Sequence, residues 1–130
     1  MSPCPFCLET DLLFGEVLEQ NDLVYLVTLP GPVLTTSLMI IPQRHVETPF
    51  ELSEEEWLAV KAMLDKAREV LDAEEVAGCN IGWNVGEVGG QHVAHVHLHV
   101  IGRFADEPLA GKGIRHALKS PANRRPETFS

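Results

Sequence analysis

The stretch Gln91-His92-Val93-Ala94-His95-Val96-His97-Leu98-His99-Val100-Ile101 holds four of the chain's six histidines. From His95 onward, histidine alternates with Val, Leu and Val. Side chains alternate across a β-strand, so a strand over residues 95–101 sets His95, His97 and His99 on one face. Val96, Leu98 and Val100 then enter a core. Three imidazoles in register are hard to justify by stability, because each needs a partner for its second nitrogen. The row therefore marks a site.

Working outward from that strand, residues 17–29 read as two short strands around a turn at Asn21-Asp22. Residues 35–41 read as a third, stopped by Pro42 and followed by a polar loop with Arg44 and His45. Ser53 can cap a helix, with Glu56 closing the capping box. Trp57, Val60, Leu64, Ala67 and Leu71 then recur at spacings of three and four, with Met63 and Val70 widening the stripe. This predicts a helix over residues 53–74 with one buried face. A strand is expected over 80–85, a flexible loop over 86–90, and a short helix near 111–118. Several short strands with one main helix imply an α+β fold with an antiparallel sheet of about five strands. The expected organisation is a single domain over residues 1–116 and a polar tail over 117–130.

The chain has 130 residues, which suits one domain. With 45% hydrophobic and 22% charged residues it can bury a core. Its net charge of −9 argues against a sequence-independent nucleic-acid binder, which needs a basic footprint. No stretch approaches the ~18 consecutive apolar residues of a membrane span. The N-terminus lacks the basic start and apolar run of a signal peptide, so a cytoplasmic location is expected. The three cysteines are then expected to be reduced thiols or metal ligands.

Two chemistries could use the histidine row. Imidazoles at i and i+2 can share a metal ion, but i and i+4 lie roughly 13 Å apart on a straight strand, so all three cannot bind one ion. The alternative is nucleophilic catalysis, in which a central histidine attacks while its neighbours orient it and stabilise charge. Cys4-Pro5-Phe6-Cys7 is by itself ambiguous: a redox pair, incidental thiols or a metal half-site.

The motif His95-Val96-His97-Leu98-His99 resembles the His-x-His-x-His signature of the histidine triad family of nucleotide hydrolases and transferases. The likeness extends through Asn84, Gly89-Gly90-Gln91, Ile41-Pro42-Gln43-Arg44-His45, the capped helix and the Cys4–Cys7 pair, covering roughly residues 4–103. It implies a HIT-like fold in which His97 attacks the α-phosphate of a purine nucleotide or dinucleotide. A covalent nucleotidyl-histidine would form and then be hydrolysed by water. It implies that His99 contacts the phosphate and supports the leaving group. Asn84, Gly89, Gly90, Gln91 and His92 would line the phosphate. In one branch, Cys4, Cys7, His45 and His95 would hold a structural zinc ion with no open position. No organic cofactor is expected, and relatives are usually homodimers. The chain departs from the pattern at Val27-Thr28-Leu29-Pro30, which offers no carboxylate for the ribose. It also has Ser37 where many members carry His, and His92 where Ser or Thr is common.

A phosphoramidase or nucleotide hydrolase is the leading expectation. A nucleotide-binding or sensing module with little turnover, and a hydrolase with catalytic zinc, are the alternatives. Six of the ten Lys and Arg residues, Arg103, Lys112, Arg115, Lys119, Arg124 and Arg125, follow the histidine stretch. Arg103 and the basic segment beyond it are expected near the pocket mouth, where they would attract a polyphosphate.

Overall fold

Asn21 turns the chain back on itself: its Oδ1 accepts the backbone N–H groups of Leu23 and Val24, at 2.9 and 2.8 Å. The turn joins β1 (Glu16–Gln20) to β2 (Val24–Thr28). β3 (Ser37–Pro42) runs back along β2, and the long helix α1 (Glu54–Ala73) follows. β4 (Gly78–Trp83) and β5 (Leu98–Arg103) complete an antiparallel sheet of order β1-β2-β3-β5-β4. A short helix, α2 (Arg115–Lys119), lies beyond it. The computed structural model describes residues 3–126, so residues 127–130 of the expected tail lie outside the described residues. Among the described residues no helix is long and apolar enough to cross a membrane.

The sheet separates two apolar layers. Val24, Leu26, Leu38, Ile40, Leu98 and Val100 pack on Val60, Met63, Ala67 and Leu71 of α1. On the opposite face, Tyr25, Val27, Met39 and Ile41 are covered by Phe6 from the N-terminal segment. β2 and β3 are therefore buried on both sides, which is why they read as unbroken apolar runs. β5 alternates because its second face carries His99, Ile101 and Arg103, all half-buried.

Several boundaries differ from the sequence expectation. β5 begins at Leu98, not at residue 95, because the preceding residues bond to the segment after β3 instead. The Val96 N–H donates to the Val46 carbonyl at 2.7 Å, and His95 Nε2 lies 2.7 Å from the Pro42 carbonyl oxygen. β4 starts two residues early, at Gly78 opposite Arg103, since glycine gives no strand signal. β3 runs from Ser37 through Pro42 rather than starting at residue 35. The short helix falls at 115–119 because Gly111 takes a positive φ of 86° that a helix cannot continue. Trp57 is not core: it is 44% exposed and meets Trp83 edge-on with ring centroids 5.6 Å apart. The buried stripe of α1 is rotated accordingly, with Met63 inside and Leu64 only half-buried.

The start of α1 is fastened to the loop that carries His45. Ser53 Oγ accepts the Glu56 N–H at 3.1 Å, and the Glu56 carboxylate accepts the Ser53 N–H at 2.8 Å. The same buried carboxylate receives two Arg44 N–H groups, at 2.8 and 3.1 Å. Arg44 also donates to the Glu51 carbonyl. The bonds from Arg44 hold the Glu56 carboxyl below its ordinary range, against the opposing pull of burial. A carboxyl depressed on folding stabilises above its unfolded pKa, and that contribution is lost as pH falls through the folded value. Glu56→Gln should therefore cost about 1 kcal/mol at pH 7 in urea unfolding. Its deficit against the parent should shrink towards zero as pH falls below about 4; a deficit independent of pH would contradict the assignment.

Candidate active site and metal site

The N-terminal segment forms a tight turn that aims two thiols at the sheet. The Cys7 N–H bonds back to the Cys4 carbonyl. The Thr10 hydroxyl donates to the carbonyls of both Cys4 and Cys7, at 2.7 and 2.9 Å. Beneath it, the buried Tyr25 hydroxyl donates to the Phe6 carbonyl at 2.7 Å. Cys4 Sγ then lies 3.3 Å from His95 Nδ1, and Cys7 Sγ lies 3.2 Å from His45 Nδ1. The two Nδ1 atoms are 3.2 Å apart. All four donor atoms fall within 4.8 Å of one another, close enough to hold a metal ion.

The donor chemistry fits one. A tetrahedral ion with metal–N bonds of ~2.0–2.1 Å and metal–S bonds of ~2.3 Å has edges of about 3.3–3.8 Å, and the closest donor pairs match these. His95 is also prepared as a ligand. Its Nε2 faces the Pro42 carbonyl, which fixes the proton there and leaves the Nδ1 lone pair directed at the sulfurs. Burial, then the neighbouring Cys4, push the Cys7 thiol up to about 11. That group carries no charge near neutral pH unless a cation stabilises its thiolate.

His97 follows His95 directly but is held differently. Its Nδ1 lies 2.8 Å from the His95 backbone carbonyl oxygen. A carbonyl only accepts, so Nδ1 carries the proton and Nε2 carries the free lone pair. The ring is wedged edge-on between Phe6 and His99, with centroids at 4.9 and 4.8 Å. Burial is the main cause that holds the imidazoles of His95, His97 and His99 below the ordinary histidine pKa, which keeps them neutral at pH 7. His99 stands in the ladder opposite Met39 and Gly82. Gly82 has no side chain to cover it. Among the described residues, the His99 ring nitrogens make no hydrogen bond.

The remaining expected residues gather in the loop between β4 and β5. Asn84 Nδ2 reaches the Gly90 carbonyl at 3.5 Å. Gln91 organises the loop: its Oε1 accepts the Gly86 N–H at 2.9 Å, and its Nε2 donates to the carbonyls of Glu47 and Val93. Gly90 has φ +100° and presses against the Asn84 side chain. A side chain on Gly89 would strike the Val85 carbonyl. Both glycines are therefore required by the loop's path. His92 is exposed beside this loop, near enough to His97 to lower its pKa slightly.

Phe6 is a site residue that sequence reasoning missed. Nothing local in the sequence marks it, because its place over His97 follows from the docking of the N-terminal turn on a segment distant in sequence. Arg103 does not face a ligand as expected. Its guanidinium is engaged by the Glu107 carboxylate, Asn80 Oδ1 and the carbonyls of Leu109 and Lys112.

Comparison with known proteins places this arrangement. The model of the HIT domain family matches residues 15–106. The purine nucleoside phosphoramidase of Escherichia coli (strain K12) is 31% identical over 103 residues, covering 77% of this chain and 87% of that protein. The AP-4-A phosphorylase of Mycobacterium tuberculosis (strain H37Rv) is 32% identical over 95 residues, 72% of this chain and 49% of that longer protein. The crystal structure of a HIT family member from Bacillus subtilis superposes with a TM-score of 0.72 at 26% identity, covering 81% of this chain and 76% of that one.

Proposed function

The chain belongs to the HIT family, and on that basis we infer that it is a nucleotide hydrolase acting at the α-phosphate through a covalent nucleotidyl-histidine. The observation that carries this reading is the contrast between neighbouring imidazoles. His95 is occupied at both nitrogens, whereas His97 is anchored only through Nδ1 and keeps the Nε2 lone pair for attack. The names of its relatives point to nucleoside phosphoramidates and dinucleoside polyphosphates as substrates.

In this mechanism His97 Nε2 attacks the α-phosphorus and an N–P bond forms. The P–N or P–O bond to the leaving group breaks, and the leaving group departs with the electron pair. The Nδ1–H bond to the His95 carbonyl strengthens as His97 becomes positive, because a charge-assisted bond is stronger than a neutral one. His99, with no partner for its ring nitrogens among the described residues, is free to bond the phosphate oxygens, and a proton it takes up from solvent can pass to an amine leaving group. Asn84 and His92 complete the phosphate contacts, while Gln91 and the Gly89 and Gly90 N–H groups, which donate to the Gly86 and Glu87 carbonyls, keep their loop in shape. Water then attacks the phosphorus, breaks the N–P bond and releases the nucleotide.

Cys4, Cys7, His45 and His95 hold structural zinc in this reading. A bound ion of that kind would stabilise the two thiolates and fix the backbone at His95 on which His97 hangs. The protein works in the cytoplasm, whose reducing conditions suit two free thiols. It works as a homodimer joined through α1 and the open edge of β4, where Leu58 and Ile81 are exposed.

Turnover of an adenosine or guanosine phosphoramidate should fall roughly thousandfold or more in His97→Ala. Quenching the parent in alkaline denaturant, which spares a P–N bond, during turnover of a substrate labelled in its nucleobase should trap label on the protein, and the variant should trap none. Retained turnover sinks the reading, and tight nucleotide binding without turnover in the parent makes the chain a nucleotide sensor instead. Elemental analysis should find one zinc per chain. Cys7→Ser should lose the zinc and lower Tm by roughly 5–15 °C; an unchanged Tm and metal content would remove the structural site.

A further inference from the structure

The face of the sheet that carries His99 continues past it towards Asn80. Gly82 stands opposite His99 and Asn80 opposite Ile101, so Asn80 and His99 are diagonal neighbours, about 7–8 Å apart at their backbones. Beyond Asn80 the chain folds over this end of the face and borders an open cavity of about 410 Å³. Lys112, Arg115, His116 and Lys119 line it together with Asn80 and the glycines around Lys112.

Among the described residues that line it, every polar side chain can donate and none is a carboxylate. Asn80 acts as a donor because of Arg103, whose guanidinium occupies Asn80 Oδ1 at 2.6 Å. That contact fixes the amide orientation and turns Nδ2 towards Gly113, where an added Cβ would lie only 3.1 Å from it. Among the described residues, Asn80 Nδ2 has no acceptor, and no carboxylate pairs with Lys112, Arg115 or Lys119. Arg103 meanwhile is neutralised by Glu107. In a chain of net charge −9, three unpaired cations and an oriented amide around one cavity form a local anion site.

We propose that this cavity seats the leaving phosphates of a nucleoside polyphosphate whose α-phosphate lies at His97, so that the enzyme is adapted to polyphosphate rather than amine leaving groups. The proposal rests on the hydrolase reading above and adds the substrate class. As His97 Nε2 bonds to the α-phosphorus, the bridging P–O bond breaks. The departing oxygen keeps the electron pair as part of a phosphate anion, held by Lys112, Arg115, Lys119 and Asn80. No proton has to be delivered to such a leaving group, whereas an amine needs one.

The experiment compares the zinc-loaded parent with the triple variant Lys112→Ala/Arg115→Ala/Lys119→Ala and with Asn80→Asp. The first removes only exposed side chains, and the second keeps an acceptor for Arg103. Two substrates are used, a dinucleoside tetraphosphate and a nucleoside phosphoramidate, together with inorganic tripolyphosphate as competitor and as calorimetric ligand. Both variants should raise KM for the tetraphosphate roughly tenfold or more and flatten its salt dependence. Both should leave phosphoramidate kcat/KM within about twofold of the parent, a difference too small to be a lost contact. Tripolyphosphate should compete in the parent and not in the variants. Equal losses on the two substrates, unchanged KM for the tetraphosphate, or tripolyphosphate binding that survives substitution would each overturn the proposal. A parent that binds tripolyphosphate through these residues but turns over neither substrate would overturn the hydrolase reading and keep the cavity as an anion site.

Discussion

His95 is held at both ring nitrogens, Nε2 against the Pro42 carbonyl and Nδ1 among two sulfurs and a second imidazole. It is fully buried, and a buried imidazole costs free energy unless both nitrogens are satisfied. That requirement sets the geometry on either side. It pulls the chain before β5 out of the ladder and onto the end of β3, and it draws the N-terminal turn down onto the sheet. The His95 carbonyl is left pointing at His97 Nδ1, so His95 determines which nitrogen of its neighbour keeps a free lone pair.

The second constraint is the division of the sheet into two layers. One layer is an ordinary apolar contact with α1, which holds the sheet rigid. The other is thin, built around Tyr25, Val27, Met39 and Ile41, and closed by Phe6. A cover of one aromatic ring desolvates His97 while leaving His99 half-buried and reachable. Glu56 and Arg44 join the two layers, since the capped helix start is tied to the segment that presents His45.

Periodicity carried most of the fold into view. The capping box and the three-four stripe located α1, and alternation after His95 identified the histidine-bearing face. Errors fell where non-local bonds override local pattern. Alternation alone extends β5 back to residue 95, because nothing in the pattern reveals the competing carbonyls of Pro42 and Val46. Gly78 was silent as a strand residue for want of a side chain. Of the candidate site, the grouping of the four thiol and imidazole donors beside His97 and His99 was readable because such residues are rare at that spacing. Phe6, Gly82 and Asn80 were not, since each owes its place to a neighbour distant in sequence. The basic segment was legible as charge but not as geometry: Arg103 is paired with Glu107, whereas Lys112 and Arg115 meet no carboxylate among the described residues.

The thiol-imidazole cluster also has a history within each molecule's synthesis. Its sulfurs are at positions 4 and 7, but the imidazole they meet at the centre is at position 95. A ribosome adding roughly 5–20 residues per second needs about 4–18 s to travel that distance. For that interval the two cysteines lack the imidazole that completes their cluster, with His45 alone available for the second half of it. Bringing them home closes a loop of most of the domain, among the last contacts a chain can form. The part of the fold that most firmly sets His97 is thus the part completed latest. Until then, the nascent chain depends on its surroundings to keep those sulfurs unoxidised and uncommitted.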